Sequence, residues 1–117
     1  MTKSPSVVLY HNPRCRTSRT ALALLQKRGI EPEIVEYLKT PPSAAELTRI
    51  LKLLKLPPRA LLRPKEAKEA GLTKPGLSDA QIIAGMAKHP IAIERPIALN
   101  GDRAALGRPA EKVLDVL

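Results

Sequence analysis

A chain of 117 residues is long enough for one domain with a real core and too short for two. Its 20 basic and 11 acidic side chains give a net charge of +9, which suits an anionic substrate or partner. Two tyrosines are the only aromatic residues, so the bases of a nucleic acid would find almost nothing to stack on, and the single cysteine excludes an internal disulfide and a cysteine-rich metal site.

The start of the chain has only four consecutive apolar residues before His11, too few for a signal peptide. No later stretch approaches the length of a membrane span. We therefore expect a cytoplasmic protein in a reducing compartment, with neither a membrane nor a nucleic acid as its partner.

The only cysteine lies between a predicted strand and a predicted helix. Val7–Tyr10 is short, apolar and β-branched, as in a buried strand, and residues 20–28 have the apolar spacing of a helix. Cys15 thus sits on a strand-to-helix turn, where unpaired backbone N–H groups and a partial positive charge face the thiol. Three arginines, at positions 14, 16 and 19, flank it.

Thiols in such surroundings react as thiolates at neutral pH, and the same kind of turn binds anions. The stretch therefore predicts a nucleophile that attacks an oxyanion or exchanges at sulfur. The alternative is that Cys15 is a small buried hydrophobic residue, the commonest role of a lone cysteine.

The rest of the chain alternates between strand and helix signals. Gly29 is expected to end the first helix, and residues 33–38 predict a second strand, parallel to the first. Ser43 with Glu46, and Ser78 with Gln81, form two capping boxes that predict helix starts. Between them, residues 59–63 predict a helical turn stopped by Pro64, and residues 65–70 one further turn.

The last third predicts an extended segment at 91–94, and then a hairpin over 97–106 around Asn100-Gly101, since both of these residues tolerate positive φ. Pro109 is expected at the first position of a final short helix. This order is that of an α/β fold, a thioredoxin-like mixed four-stranded sheet with a helical insertion. The expected organisation is a single domain, 1–117, with the insert at about 43–90.

Three arginines stand out because each precedes a proline, which fixes the direction in which the side chain leaves the backbone: Arg63, Arg95 and Arg108. Guanidinium groups suit bidentate capture of a tetrahedral oxyanion, although spacing alone favours ordinary surface charges. His11 is a candidate base or a residue that orients the loop. Ser18 is a candidate hydrogen-bond donor to the thiolate or a helix cap. No cluster has metal-ligand spacing.

With these residues in view, the chain resembles the arsenate reductase family that depends on glutathione and glutaredoxin, a thioredoxin-fold group related to the Spx regulators. The matching segments are YHNPRCRTSR at 10–19, EYLKTPP at 36–42, RALLR at 59–63, HPI at 89–91, ERPI at 94–97 and GRP at 107–109. They come in the family's order and together cover nearly the whole chain.

The resemblance implies that Cys15 is the catalytic residue that attacks arsenate. It implies that Arg63, Arg95 and Arg108 bind the oxyanion and that Pro96 follows a cis peptide bond. His11 and Ser18 are supporting residues. Glutathione is the implied co-substrate and glutaredoxin the implied partner, and no bound cofactor or metal is expected. Many reductases of the family have glycine where this chain has Arg16.

Two other functions stay open at this point. One is an Spx-like regulator that binds RNA polymerase, although those proteins usually carry Cys-x-x-Cys and Ser18 removes that switch. The other is a glutaredoxin-like thiol transferase without arsenate activity. Mixed-disulfide reduction without arsenate turnover distinguishes the second of these from a reductase.

Overall fold

The structure is a computed structural model, and it describes residues 7–117. The chain divides into two compact units. The first consists of Met1–Tyr37 and Arg95–Leu117, described here from Val7 onward, and the second of Leu38–Glu94. Residues 1–6, to which the expectation about a signal peptide partly refers, lie outside the described residues.

The first unit contains a mixed four-stranded sheet. Its strands are β1 (Val7–His11), β2 (Glu33–Glu36), β3 (Ile97–Asn100) and β4 (Arg103–Leu106), in the order β2-β1-β3-β4. Strand β1 pairs parallel with β2 and antiparallel with β3, and β3 pairs antiparallel with β4. The predicted α/β class with a mixed four-stranded sheet is therefore confirmed, including the parallel pairing of the first two strands.

Helix α1 (Arg16–Lys27) follows β1 and packs into the core of the first unit. It begins four residues before the predicted stretch, directly after Cys15, and it ends as predicted at Gly29, whose φ of +78° suits a residue without Cβ. Its buried face is built from small and branched residues, as the absence of Phe and Trp requires. The core cluster consists of Val7, Leu9, Ala21, Leu25, Ala98, Ala105, Ala110, Val113 and Val116.

The hairpin is where the sequence indicated it, but its turn lies one residue later. Asn100 still pairs with Arg103, so the loop residues are Gly101 and Asp102, and only Gly101 has positive φ, at +62°. One positive φ at the first loop position is the pattern of a type II′ turn. The final helix is a 3₁₀ helix, Ala110–Val116, and Pro109 stands at its N-cap instead of at its first position.

The second unit is mostly helical. It contains α2 (Ala44–Leu54), α3 (Pro64–Glu69) and α4 (Asp79–Lys88), and 3₁₀ turns at Pro58–Leu61 and Pro90–Ala92. Both capping boxes are confirmed, since each serine side chain accepts from the N–H three residues on and each partner side chain accepts in return. Helix α2 packs on α4, and their buried faces hold Leu47, Ile50, Leu51, Ile82 and Met86.

The turn predicted at 65–70 is confirmed as helix α3. Pro64 begins this helix and does not stop the preceding turn, which ends at Leu61, because the missing N–H of a proline costs nothing at a first helical position. The extended segment predicted at 91–94 is wrong. Residues 90–92 form a 3₁₀ turn, and Ile93 follows it with extended backbone angles and an isolated bridge to Leu62. No helix within residues 7–117 is long and apolar enough to cross a membrane.

Candidate active site

Hydrogen bonds from both backbone and side chains hold the loop that leads into α1. The N–H of Cys15 donates to the carbonyl of Asn12 at 3.0 Å, and the N–H of Arg14 donates to the Asn12 side-chain oxygen, also at 3.0 Å. On the far side of the loop, Nη1 of Arg19 donates to the carbonyl of Pro13 at 2.9 Å. Two hydrogen bonds to Asn12 and one from the Arg19 guanidinium therefore fix the backbone around the thiol.

Cys15 is the N-cap residue of α1, with extended backbone angles, and only 9% of it is exposed. Its side chain makes no capping hydrogen bond, and the first turn of the helix contains no acidic residue. The thiol thus stands at the positive end of the helix dipole, beside N–H groups that lack intrahelical acceptors. Such a helix end favours negative charge. It therefore favours both the thiolate form of Cys15 and an oxyanion bound near it.

A buried pair of polar side chains lies beneath this loop. Oγ of Ser18 lies 2.6 Å from Nδ1 of His11 and accepts from the N–H of Asn12 at 3.0 Å. Ser18 is the third residue of α1, so its hydroxyl ties the helix to the end of β1 and to the loop between them. A neutral histidine protonated at Nε2 fits this arrangement, since its Nδ1 then accepts from the hydroxyl.

The electrostatics of His11 agree with that protonation state. Burial lowers the pKa of His11 below 6.5; the nearby Glu36 carboxylate opposes this effect, and Arg19 adds to it. His11 is therefore neutral at pH 7. The residue lies in the interior, at 6% exposure, and its described contact is with Ser18, which suits a role in orienting the loop.

The other conspicuous segment of the first unit carries two of the three selected arginines. The peptide bonds Arg95–Pro96 and Arg108–Pro109 are both cis; the resemblance implied the first of these but not the second. Nε of Arg108 donates to the carbonyl of Arg95 at 3.0 Å, so the structure brings these two residues together. Arg95 is buried, whereas Arg108 is exposed.

Gly107 sets how closely these segments approach one another. Its N–H donates to the carbonyl of Pro96 at 2.8 Å. A Cβ at this position would lie 2.7 Å from Cγ of Pro96 and 2.8 Å from Cγ1 of Val113. Only glycine fits there, and it directly precedes Arg108. The glycine of the GRP segment had no role that the sequence alone could indicate, because its close neighbours are set by packing.

An open groove of about 360 Å³ runs between the first turns of α1 and the segment after β4. It is lined by Arg16, Thr17, Thr20, Arg108, Pro109 and Ala110. Two of these side chains are arginines and none is acidic. Thr20 and Ala110 carried no signal in the sequence, and Thr17 lies in the YHNPRCRTSR segment that carries the resemblance but had no assigned role. The proximity of these residues arises from packing between segments that are some ninety residues apart.

The third selected arginine, Arg63, belongs to the second unit. It is the N-cap residue of α3, and its N–H donates to the carbonyl of Ala92 at 2.8 Å. Its guanidinium pairs with the Glu66 carboxylate at 3.3 Å, and about a quarter of the side chain is exposed. Within residues 7–117 no group of three or more potential ligands could hold a metal ion.

Comparison with known proteins gives a consistent result over nearly the whole chain. The ArsC family model matches residues 10–116. An arsenate reductase of Neisseria meningitidis serogroup A is 45% identical over 116 residues, which cover 97% of this chain and 99% of the relative. An arsenate reductase of Escherichia coli is 42% identical over 114 residues, 96% of this chain and 81% of that protein. The solved structure of an arsenate reductase from Vibrio cholerae superposes with a TM-score of 0.93 at 47% identity, covering 98% of this chain and all of the other.

Proposed function

The chain belongs to the ArsC family, and we propose that it reduces arsenate to arsenite with Cys15 as the nucleophile. The observation that carries the proposal is the position of the thiol, at the N-cap of α1, where helix N–H groups without intrahelical acceptors favour an anion. Support also comes from relatives of nearly equal length that are named arsenate reductases.

In the first step, Sγ of Cys15 attacks arsenic. A sulfur–arsenic bond forms, one arsenic–oxygen bond breaks, and the oxygen leaves as water after protonation, so arsenic is still pentavalent. The arginines proposed to hold the oxyanion are Arg95, Arg108 and, by the match to RALLR, Arg63. Charges that are fixed before the reaction stabilise the transition state most, because they need no reorganisation as negative charge builds up.

Reduction follows in the second step. The thiolate of glutathione attacks Cys15 Sγ in the adduct, a disulfide forms, and the electron pair of the sulfur–arsenic bond stays on arsenic, which leaves as trivalent arsenite. Two thiols have then lost two electrons and arsenic has gained them. The chain has no second cysteine to act as the resolving thiol, so that thiol must come from another molecule. Glutaredoxin is the proposed partner that reduces the resulting mixed disulfide.

The test is arsenite production with each reductant supplied separately. We expect turnover with glutathione and glutaredoxin together, and none for Cys15→Ser. Arg95→Ala should lower kcat/KM about 10²- to 10³-fold, the usual cost of losing one group that stabilises an oxyanion. Arg103→Ala, which removes the same charge from strand β4, is the control and should retain activity.

Two results contradict the proposal. Equal turnover with thioredoxin alone, in the absence of any small thiol, contradicts the glutathione step. Reduction of a mixed disulfide without any arsenite, under all reductants, contradicts the arsenate step and assigns the chain to the thiol transferases.

A further inference from the structure

The groove that begins at Arg16, the residue after Cys15, is larger than an oxyanion requires. A tetrahedral oxyanion fills roughly the space of three or four waters, about 100 Å³ at ~30 Å³ each. The groove holds about 360 Å³, which lies within the range of ~300–1,000 Å³ that is usual for small-molecule sites. Its volume therefore accommodates a molecule of the size of a short peptide.

The charge of the groove defines the kind of molecule that fits. Arg16 and Arg108 line it, and the other lining residues are two threonines, a proline and an alanine. Oγ1 of Thr20 donates to the carbonyl of Arg16 at 3.0 Å, so the hydroxyl oxygen is left to act as an acceptor. Arginines bind carboxylates well, and a hydroxyl acceptor suits an ammonium group. A small zwitterionic peptide with excess negative charge matches this lining.

The position of Arg16 is unfavourable for the stability of α1, which indicates that this arginine serves binding. It is the first residue of α1, and no acidic residue of the first turn compensates its charge. A cation at a helix N-terminus opposes the helix dipole. A residue that breaks a local rule without a gain in stability is a candidate functional residue.

We propose that this groove, between Arg16 on α1 and Arg108 after β4, binds the peptide portion of an anionic thiol co-substrate and presents its sulfur to Cys15. Arg16 is the residue of the groove that selects an anionic thiol. The inference rests on the proposed function for its place in the reaction, but the binding that it asserts is measurable without any turnover.

Direct binding is the first test. S-methylglutathione cannot form a disulfide, so its titration into the whole protein, followed by NMR, reports affinity alone. We expect Arg16→Gln to weaken binding about two- to fivefold, the range for an exposed charge pair, and added salt to reduce the difference. Arg28→Gln is the matched control: it removes the same charge from the far end of the same helix, about 18 Å away, and should bind as the wild type does.

Kinetics and a charge exchange complete the test. Arg16→Gln should raise KM for glutathione by the same factor and leave KM for arsenate unchanged. Arg16→Glu should lose further affinity for glutathione and gain turnover with cysteamine, a cationic thiol. Equal effects of Arg16→Gln and Arg28→Gln, or a parallel rise in KM for arsenate, would overturn the proposal.

Two outcomes distinguish a failure of the proposed arsenate function from a failure of the groove assignment. If the wild type makes no arsenite with any reductant but S-methylglutathione still separates Arg16→Gln from Arg28→Gln, the arsenate function is wrong and the groove assignment holds. If arsenite forms but the wild type does not bind S-methylglutathione at millimolar concentration, the groove assignment is wrong.

Discussion

The hydroxyl oxygen of Ser18 lies 2.6 Å from Nδ1 of His11, and both side chains are buried. Because the same hydroxyl accepts from the backbone of Asn12, one oxygen links strand β1, helix α1 and the loop that carries Cys15. The proposed nucleophile, Cys15, thus stands on a segment whose position is set by a short buried network, and this network can be tested apart from the chemistry.

The first prediction concerns the hydroxyl itself. Ser18→Ala leaves a buried imidazole nitrogen and a partly buried N–H without this partner, at a cost of about 1–3 kcal/mol for each unsatisfied buried group. We expect urea unfolding to show a free energy of unfolding lower by roughly 2–4 kcal/mol. Thr48→Ala removes an exposed hydroxyl bonded to the carbonyl of Ala44 and should change it by less than about 0.5 kcal/mol. Similar losses in the two variants would contradict the role assigned to Ser18.

The second prediction concerns pH. Burial is the main cause of the lowered pKa of His11, so the unfolded chain takes up this proton at a higher pH than the folded protein does. Between the lowered value and 6.5 the unfolded state binds more protons, and the free energy of unfolding therefore increases with pH in that window. Acidification below 6.5 should destabilise the protein until the folded form is protonated as well.

The measurement is urea unfolding at a series of pH values, comparing wild type with two variants. His11→Asn offers Ser18 a neutral acceptor in place of Nδ1 and should remove the part of the slope that belongs to the buried imidazole. His89→Asn, which changes an exposed histidine at the end of α4, should leave the slope as it is. A slope unchanged in His11→Asn would show that other groups cause it.

Much of the fold could be predicted because the relevant signals are local. A capping box lies within four residues, and both boxes predicted helix starts that the structure confirms to the residue. The strand, the cysteine turn and the first helix lie in one stretch of about twenty residues. The mixed sheet followed from the order of such stretches, because Gly29 and the hairpin turn mark where one element ends and the next begins.

What could not be predicted depends on contacts between distant residues. Proline is compatible with both the end and the start of a helix, and the choice at Pro64 accompanies a hydrogen bond from Arg63 to Ala92, nearly thirty residues away. Leu62 and Ile93, which lie slightly further apart in sequence, form only an isolated bridge where the sequence predicted a longer extended segment. The groove and the role of Gly107 likewise require packing between α1, Pro96 and the last 3₁₀ helix.

The third prediction concerns backbone conformation at the ends of two helices. Lys55 follows α2 with φ of +59°, a left-handed conformation that side chains with a Cβ adopt at a cost of about 1 kcal/mol. Lys55→Gly should therefore raise the free energy of unfolding by about 0.5–1 kcal/mol. Gly29→Ala is the reverse experiment, because φ is +78° and no atom lies within 4 Å of the added Cβ. It should lower the free energy by a similar amount; the same sign in both variants would contradict the argument.

The last prediction concerns the glycine that precedes Arg108. The Cβ of Gly107→Ala would approach the Pro96 ring to 2.7 Å and a Val113 methyl to 2.8 Å, and both neighbours are held in the packed interior. The backbone at 107 must then move away from Pro96, stretching the 2.8 Å hydrogen bond between them and shifting Arg108. We expect the free energy of unfolding to fall by about 1–3 kcal/mol, the usual cost of overpacking.

Stability alone would not identify Gly107 as a positioning residue, so the decisive measurement is kinetic. At a temperature where Gly107→Ala is still fully folded by circular dichroism, we expect kcat/KM for arsenate to fall at least about tenfold, because displacement of a charged group by about 1 Å removes much of its effect. Gly76→Ala is the matched control, since its φ is not in the left-handed range and no atom lies within 4 Å of the added Cβ. It should retain both stability and activity. A folded Gly107→Ala variant with wild-type kcat/KM would show that turnover does not depend on the position of Arg108. It would therefore remove Arg108 from the proposed oxyanion site.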